Sequence, residues 1–418
     1  GELLGGTQLI RSLSIRYSMM GRAAAAFLLV LGCAAATVHG SPKSHPPGGN
    51  MTVPQLIELQ GYPVEVHHVT TEDGYILEIH RIPHGINDTF SRGRPVAFLS
   101  HCILCSSGDF IMNTPDKALA YMMADAGYDV WIGNFRGNTY SRKHVTLDPD
   151  NDRKFWEFTW DQMGLFDLPA MLDYTLETTG QQDLYYIGFS MGTTTFFSLM
   201  STKPEYNDKI RVCVAMAPVA FTQHMKGVVK WLIPFAGEMD LFFTLFTKGE
   251  FLPSRNITDQ IVEEKCDDEA ITAGICYNII FLIGGFDPAL VNKEFFPLIL
   301  TNTPAGTSFH SINHYAQLYH DTNFRMYDWG LLGNQKHYGQ NHPPVYELSN
   351  VTTPVALLWG ANDFLATPED VALLEAQLPN VILNQRVDWD QFNHLDFAWA
   401  INADELVYHQ VMELLTHY

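Results

Sequence analysis

The 418-residue chain is poor in basic residues, in cysteine and in long apolar segments. Lysine and arginine together number 25 against 46 acidic residues, so the formal net charge is −21. That excess of negative charge argues against nucleic acid or an anionic membrane surface as a binding partner. With 46% hydrophobic residues the chain can still bury a large core. We find no internal repeat and no low-complexity linker.

No apolar run is long enough for a transmembrane anchor. The run at residues 23–38 is alanine-rich and shorter than the roughly 20 residues that a spanning helix needs. Arg22 precedes it and small residues follow it, which is the pattern of a secretory signal peptide. We therefore expect residues 1–18 to be a non-native upstream extension and residues 19–40 to be a signal peptide. The destination would be the secretory pathway, either the extracellular space or the lysosomal lumen.

Four Asn-x-Thr sequons follow the predicted signal peptide, and they agree with a secretory route because such sites accept N-linked glycans. The asparagines of these sequons are Asn50, Asn87, Asn256 and Asn350.

Five cysteines follow the predicted signal peptide, an odd number that leaves at least one thiol unpaired within a single chain. Cys266 and Cys276 flank a short polar loop and are the pair that we expect to form a disulfide. Cys213 lies in an apolar strand pattern, where a buried and inert thiol is typical. Cys102 and Cys105 share one loop, where a disulfide would need unusual geometry.

Short apolar strands alternate with helical stretches, which predicts an α/β fold with a mainly parallel central sheet flanked by helices. The first two strands, at 64–68 and 75–81, form a predicted hairpin. Further strands are predicted at 95–99, 128–132, 184–187, 211–216, 354–359 and 381–387, and helices at 117–126, 166–177 and 193–201.

Residues 219–345 interrupt this alternation. The interval is rich in Phe, Leu, Ile, Pro and Trp, and it lies between two predicted sheet strands. An apolar helical insertion at this place favours a cap, or lid, over an active site; ordinary core helices are the alternative. We therefore expect a core in two parts, 41–218 and 346–418, with the cap inserted between them.

Residues 184–193 carry the most specific motif. A short apolar strand leads into Gly-Phe-Ser-Met-Gly at 188–192, and a helical stretch follows. This is the pattern of a nucleophile elbow, a sharp turn that exposes a serine hydroxyl. Gly188 and Gly192 fit that turn because it leaves no room for Cβ atoms beside the serine. Ser190 is the predicted nucleophile of a serine hydrolase.

A serine hydroxyl needs a histidine to take its proton, and the histidine needs a carboxylate to fix its tautomer. On an α/β-hydrolase scaffold the chain order is serine, acid, histidine. Asp363 follows the strong strand at 354–359 and is the predicted acid. Asp388 and Asp390 are weaker alternatives, since they stand near the end of a later strand and close to the histidine.

Three histidines lie downstream of the predicted acid. His394 stands in a loop after the strand at 381–387, where the base of such a triad belongs. His409 falls in a helical pattern, and His417 is next to the last residue of the sequence. His394 is therefore the predicted base.

The oxyanion that forms on an attacked ester needs preorganised N–H donors. We expect one from the backbone amide of Met191, directly after the serine. The other should come from the loop at 100–107, after the strand at 95–99, and Ile103 is our choice for it.

His310 and His314, four residues apart, could share a helix face as metal ligands. Neither an HExxH motif nor a carboxylate cluster supports that interpretation, and the sequence has no phosphate-binding glycine loop. We therefore expect no metal and no cofactor.

Beyond the triad, the chain resembles the acid lipase family of animals, which includes gastric lipase, lysosomal acid lipase and related arthropod lipases. The resemblance runs from about residue 50 onward. It is carried by ordered motifs at 71–77, 80–83, 124–131, 133–142, 304–308, 327–330 and 393–397. The resemblance implies hydrolysis of triacylglycerols or steryl esters at a lipid–water interface, a movable cap, and the Cys266–Cys276 disulfide.

Three positions depart from the family pattern. Cys102 stands where family members usually have glycine, and Phe189 and Met191 stand where they usually have histidine and glutamine. A backbone donor does not depend on its side chain, so Met191 can still serve. Cys102 could shift the loop that carries Ile103, and so lower activity or alter substrate choice.

The leading hypothesis is a lipase or esterase that acts on lipid esters. A catalytically weak lipid-binding or storage protein on the same fold is the alternative, and the complete set of triad residues argues against it. A serine peptidase is disfavoured by the apolar insertion.

Overall fold

The structure is a computed structural model that describes residues 51–89, 91–253 and 281–418. Several sequence predictions lie outside the described residues: the upstream extension and signal peptide, the sequons at Asn50 and Asn256, and the Cys266–Cys276 disulfide.

The described strands form one nine-stranded sheet and one two-stranded pair. In the large sheet the order is β1-β2-β4-β3-β6-β7-β10-β11, with β5 beside β2, and β8 pairs with β9. The strands are β1 (Glu65–Thr70), β2 (Tyr75–Ile82), β3 (Val96–Ser100), β4 (Asp129–Gly133), β5 (Lys143–His144), β6 (Leu184–Phe189), β7 (Ile210–Met216), β8 (Glu250–Phe251), β9 (Thr307–Ser308), β10 (Val355–Trp359) and β11 (Val381–Arg386).

The sheet is parallel from β4 to β11, and only its first strands are antiparallel. Strands β1 and β2 form the predicted hairpin, and β2 pairs antiparallel with β4. All neighbours beyond that point pair in parallel. Every residue of β3, β4 and β6 is buried, because helices cover both faces of a parallel sheet. The carboxyl ends of these strands consequently meet at one edge, where such sheets hold their sites.

The helices of the described ranges alternate with the strands before and after the long interval between β7 and β10. They are α1 (Val53–Leu59), α2 (Leu119–Asp125), α3 (Trp160–Gln162), α4 (Leu168–Thr179), α5 (Met191–Thr202), α6 (Gly227–Leu232), α7 (Ala236–Phe246), α8 (Phe296–Asn302), α9 (Phe309–Leu318), α10 (Gly330–Tyr338), α11 (Pro368–Glu375), α12 (Asp396–Trp399) and α13 (His409–Leu415). Within these ranges none of the helices has the length and apolar character needed to cross a bilayer.

Two apolar clusters form the core, one on each face of the sheet. Successive strand residues point to opposite faces, so Phe98 joins one cluster and Leu99 the other. Tyr186 and Ile187 divide in the same way. Cys213, in β7, is a buried free cysteine, as its apolar strand pattern predicts.

The interval from 219 to 345, between β7 and β10, is not uniform in burial. Neither α6 nor α7 contains a buried residue. In contrast, Leu298, Leu318 and Phe324 belong to the two core clusters. Part of this interval therefore completes the core, and the part around α6 and α7 stands outside it.

Candidate active site

Ser190 occupies the sharp turn between β6 and α5. Its backbone has φ 53° and ψ −113°, a conformation that residues with a Cβ rarely adopt and that clusters at functional sites. The turn is held from both sides. The Ser190 N–H donates to the carbonyl oxygen of Met216 at 3.0 Å, and the Thr193 hydroxyl donates to the Ser190 carbonyl at 2.6 Å. These bonds fix the direction in which the serine side chain points.

The two glycines of the motif are required by close packing. A Cβ on Gly192 would lie 2.2 Å from the carbonyl oxygen of Ser100, and one on Gly188 would lie 3.0 Å from the backbone of Gly192. Real Cβ atoms do not approach backbone atoms as closely as the first of these distances. Glycine at 192 therefore lets the end of β3 touch the first turn of α5, directly beside Ser190.

The structure brings Ser190, His394 and Asp363 together in one line of hydrogen bonds. His394 Nε2 lies 2.8 Å from Ser190 Oγ, and His394 Nδ1 lies 2.8 and 3.0 Å from the two carboxylate oxygens of Asp363. Ser190 is 5% exposed, His394 2% and Asp363 0%. With the Nδ1 proton donated to the carboxylate, Nε2 is free to accept the serine proton.

Asp363 stands in the turn after β10 and is oriented by backbone donors. Its Oδ1 accepts hydrogen bonds from the amides of Leu365 and Ala366, both at 2.8 Å. These bonds hold the carboxylate plane toward the histidine. The alternative acid Asp390 forms an exposed ion pair with Arg386 instead.

The loop that carries His394 is braced by its own neighbours. The Asn393 amide donates to Asp396 Oδ2 at 2.7 Å, and the Leu395 amide donates to Asn393 Oδ1 at 2.8 Å. Burial raises the pKa of Asp396 well above its usual value, and the nearby charge of Asp363 acts in the same direction. The neutral form of Asp396 is thus favoured beside the triad.

The sequence arguments missed Gly284 and Gly285, whose backbone lies between the loops of the acid and the base. The Gly284 carbonyl accepts hydrogen bonds from the amides of His394 and Phe364, at 3.2 and 3.3 Å. Gly285 has φ 120°, and a Cβ there would lie 2.2 Å from the Asn362 carbonyl oxygen. A glycine pair inside an apolar run was the available signal, since such a pair marks a close backbone approach.

The predicted oxyanion donors lie on the two segments that touch at Gly192. Met191 is the first residue of α5, directly after Ser190. Ile103 follows β3 in the loop that begins at His101. His101 fixes this loop, because its Nδ1–H donates to the Cys102 carbonyl at 2.7 Å and its Nε2 accepts the Phe135 amide at 3.1 Å. Burial lowers the pKa of His101 to about 4, so the ring is neutral.

Two of the three residues that the resemblance marks as departures, Cys102 and Phe189, are buried beside the site. The buried ring of Phe189 lies 5.5 Å from the ring of His394 and 6.3 Å from that of Phe397. Cys102 is joined to Cys105 by a disulfide, the pairing that the sequence left open. Both departures therefore lie within reach of the candidate triad and its loops.

His310 and His314 contact different partners. The His314 ring stacks on Trp160 with centroids 3.7 Å apart, and its Nε2 bonds to the Arg325 carbonyl at 3.0 Å. His310 Nε2 lies 3.4 Å from Asp240 on α7. Burial lowers the pKa of His314 to about 3, as expected for a neutral ring in the interior.

Two sequons fall within the described residues, and both asparagines are exposed. Asn87 lies in the loop after β2. Asn350 donates from its side-chain nitrogen to the Ser201 carbonyl at 3.0 Å. Glycosylation at these positions stays a prediction.

Two family models match the chain. One, a partial alpha/beta-hydrolase lipase region, matches residues 53–114, and the other, the alpha/beta hydrolase fold, matches residues 98–399.

Curated relatives match over nearly the full length. Lipase lipl-1 of Caenorhabditis elegans is 43% identical over 396 residues, which cover 93% of this chain and 96% of the relative. The gastric triacylglycerol lipase of Homo sapiens is 39% identical over 399 residues, which cover 94% of this chain and 97% of the relative. A solved structure of a proposed lipase from Sulfolobus solfataricus covers 85% of this chain and 94% of its own, with a TM-score of 0.56. At 12% identity, this last likeness supports the fold alone.

Proposed function

The chain belongs to the α/β-hydrolase lipases, the family of the gastric triacylglycerol lipases, and we propose that it hydrolyses lipid esters through a Ser-His-Asp acyl-enzyme. The predicted α/β-hydrolase fold and the predicted carboxylic ester hydrolase class are confirmed by this membership. The proposed substrates are triacylglycerols, steryl esters or both. The single observation that supports the mechanism is the buried hydrogen-bonded line from Ser190 through His394 to Asp363.

In the proposed acylation step, the Ser190 hydroxyl gives its proton to His394 Nε2 while Oγ attacks the ester carbonyl carbon. Asp363 accepts the Nδ1–H and stabilises the imidazolium that forms. His394 then protonates the leaving alcohol, and an acyl-serine remains. A water molecule, deprotonated by the same nitrogen, attacks the acyl-serine. The bond from the acyl carbon to Oγ then breaks, His394 returns the proton to Ser190 Oγ, and the fatty acid leaves. One histidine thus serves as base and as acid in turn.

We assign the oxyanion of both tetrahedral intermediates to the backbone amides of Met191 and Ile103. Such donors stabilise charge that develops only in the transition state, and each is worth roughly 10²–10³ in kcat. The assignment is supported by the contact between the last residue of β3, Ser100, and the first turn of α5 at Gly192, because the loop with Ile103 starts directly after Ser100.

The interval 219–345 supplies the proposed lipid-facing cap. Its helix α6 begins beside the acid loop, since a Cβ on Gly227 would meet Leu282 and Phe364. Large apolar side chains of this interval are exposed, and in water such a surface is a liability unless it meets an apolar partner. The exposed residues are Trp231, Leu241, Phe242, Leu245, Phe246, Leu282, Ile283, Phe286, Leu331 and Leu332. The partner that fits this surface is a lipid–water interface.

The proposed destination is the secretory pathway, either the extracellular space or the lysosomal lumen. The exposed sequon asparagines Asn87 and Asn350 are compatible with it. Peptide mapping of protein from a secreting cell line, before and after glycan removal, tests this assignment.

The test of the function is a hydrolysis panel combined with covalent labelling. Short-chain esters, emulsified triolein and cholesteryl oleate are offered between about pH 4 and 8, and a lipid-like phosphonate is used to label the enzyme. We expect turnover of at least one long-chain ester, and a phosphonate adduct that peptide mapping locates at Ser190. Labelling elsewhere would contradict the assigned nucleophile. Binding of all three lipids without turnover would favour the storage-protein alternative.

A further inference from the structure

The loop after β3 contains a disulfide that closes a very small ring. Cys102 and Cys105 enclose only Ile103 and Leu104, and their Cα atoms are 5.2 Å apart. Both cysteines are buried. The cross-link therefore surrounds the residue whose amide is the proposed second oxyanion donor.

The peptide group between Cys102 and Ile103 is oriented from its carbonyl side. The Cys102 carbonyl accepts the His101 Nδ1–H at 2.7 Å and the Cys105 amide at 3.3 Å. Because a trans peptide is planar, its N–H points opposite to its C=O. Fixing the Cys102 carbonyl therefore fixes the direction of the Ile103 N–H.

The far side of the ring has a strained backbone, although the Leu104 carbonyl accepts the Ala305 amide at 2.6 Å. Leu104 has φ 62°, a left-handed conformation that is unfavourable for a residue with a Cβ. The turn bond from the Cys105 amide is at the long end of the normal range, as is the 3.4 Å bond from Asn138 Nδ2 to the Cys105 carbonyl. Of the two bonds that orient the peptide group between Cys102 and Ile103, only the one from His101 is short, so loss of the cross-link would allow the strained turn to relax and to redirect the Ile103 amide.

We propose that the Cys102–Cys105 disulfide is a positioning element for catalysis, which holds the Ile103 amide in the direction needed to stabilise the oxyanion. The proposal rests on the proposed function, since Ile103 acts only if the serine mechanism operates. The cysteines touch no substrate and act through the backbone that they enclose. The cross-link thus holds Ile103 and Leu104 in a fixed turn.

The surroundings of the disulfide favour its persistence in the folded protein. Cys102 Sγ lies 3.5 Å from Asp109 Oδ2, and burial raises the pKa of Asp109 to about 8. The carboxyl is therefore uncharged at neutral and acidic pH. Cys102 and Cys105 are 4% and 2% exposed, so little solvent reaches the sulfur atoms.

The test compares Cys102→Ala, Cys105→Ala and the double variant, on a soluble short-chain ester and with the phosphonate label. Mass spectrometry of the wild-type peptide first checks that the disulfide is present. We expect all three variants to lose the same factor in kcat, about tenfold or more, because any one substitution removes the whole cross-link. KM should stay near the wild-type value. The rate of phosphonate labelling should fall by a similar factor, since the phosphonyl oxygen occupies the oxyanion position.

Activity is expressed per labelled active site, so that loss of folded protein does not count as loss of kcat. Ser106→Ala, in the same loop, and Cys213→Ala, in β7, are the matched controls and should keep the wild-type kcat. A merely structural disulfide would lower the melting temperature of the variants while leaving kcat per site unchanged. That result, or the absence of the disulfide in the purified protein, would overturn the proposal.

Ser190→Ala is measured beside these variants to distinguish failure of the proposed function from failure of the positioning role alone. Activity that survives in Ser190→Ala would overturn the proposed function, and this inference with it. Loss of activity in Ser190→Ala together with full kcat in the cysteine variants would overturn the positioning role alone.

Discussion

The carboxyl edge of the sheet and the segment that contains α6 and α7 differ in how far their side chains are buried. Around Ser190, all of β6 and nearly all of α5 are buried. In α6 and α7 no residue is buried, and Trp231 and Phe246 are 79% and 72% exposed. Packing holds the atoms of the carboxyl edge in place, whereas the segment with α6 and α7 exposes apolar surface.

The difference agrees with the roles proposed for the two regions. In the buried edge every polar group of the candidate triad has a hydrogen-bond partner, because an unpaired polar group in the interior is costly. In the segment with α6 and α7, Asp240 lies 3.4 Å from His310 and 3.5 Å from the Tyr327 hydroxyl, and the exposed apolar side chains gain free energy only when a partner covers them. Catalysis needs fixed distances, whereas contact with a lipid surface needs area more than exact placement.

The two regions meet at Gly284 and Gly285. Both belong to the interval 219–345, yet the Gly284 carbonyl bonds to the loops of Asp363 and His394, and Gly285 packs against the Asn362 carbonyl. Substitutions on either side of this junction should therefore have effects of very different size.

The largest effect is expected for Ser190→Ala, at the centre of the buried edge. Removing the nucleophile of such a triad typically costs on the order of 10⁶ in kcat. The change deletes one hydroxyl, so the melting temperature should stay close to that of the wild type. The measurement is ester turnover by purified protein of verified folding. Retention of a tenth of the wild-type turnover would show that another group is the nucleophile.

His394→Ala should be nearly as damaging, because it removes the proton acceptor from Ser190. His409 provides the matched control, since it is an exposed histidine on α13 with no part in the site. We expect His409→Ala to be close to neutral in kcat. Equal losses of kcat in the two variants would show that the buried His394 matters no more for turnover than a histidine on the surface.

Gly285→Ala tests the junction and should lower kcat up to about 10²-fold. The new Cβ would collide with the Asn362 carbonyl, and the alanine backbone would have to adopt φ 120°. Relief of the collision shifts the loops that carry the acid and the base. Gly237→Ala on α7 is the control, because a Cβ there meets nothing within 4 Å and alanine favours a helix. The measurement is kcat on a soluble ester for both variants. A full wild-type kcat in Gly285→Ala would show that the junction does not position the triad.

The smallest effect is expected when the exposed face of α7 is made polar. Phe243 is kept, because its ring stacks on Phe309 with centroids 4.7 Å apart. The residues changed to glutamine are Leu241, Phe242, Leu245 and Phe246. Hydrolysis of a soluble short-chain ester should stay near the wild-type rate, since none of these side chains is buried.

Activity on emulsified long-chain ester should fall several-fold in the same variant, because about 1.4 kcal/mol of lost lipid contact is worth a factor of ten. The measurement is the ratio of emulsion to soluble activity. Val66→Gln, on the exposed face of edge strand β1, is the control for a general change in surface polarity. An unchanged ratio would show that this face takes no part in interfacial binding.

Much of the sheet could be predicted because its signals are local. Each predicted strand corresponds to an observed one, and the ends differ by one or two residues, as at 95–99 against Val96–Ser100 and 184–187 against Leu184–Phe189. The predicted helix at 166–177 became α4, with a π-helical turn at Met163–Asp167 in front of it. The ends of helices and strands, and the turns between them, depend on contacts with neighbouring elements. An apolar pattern carries no information about those contacts.

The interval 219–345 was the least predictable part, because its apolar residues serve two purposes. Leu298 and Phe324 pack into the core, whereas Phe242 and Phe246 face outward. Apolar composition alone cannot distinguish core packing from an exposed apolar surface, since both use the same side chains.

The sequence by itself determined which residues carry the candidate chemistry. Glycines that flank a serine after an apolar strand, an aspartate after a second strand and a histidine in a later loop are local patterns, and each depends on a few neighbouring residues. Local sterics and the burial of short apolar runs are sufficient to encode them.

Only the tertiary structure decided how these residues meet. Ser190 and His394 are 204 positions apart, and their 2.8 Å contact exists because parallel strands bring their carboxyl ends to one edge. The same folding placed Gly284 between the two catalytic loops and joined Cys102 to Cys105 around Ile103. Such contacts depend on the packing of the whole chain, in which each distance is set by many weak interactions at once.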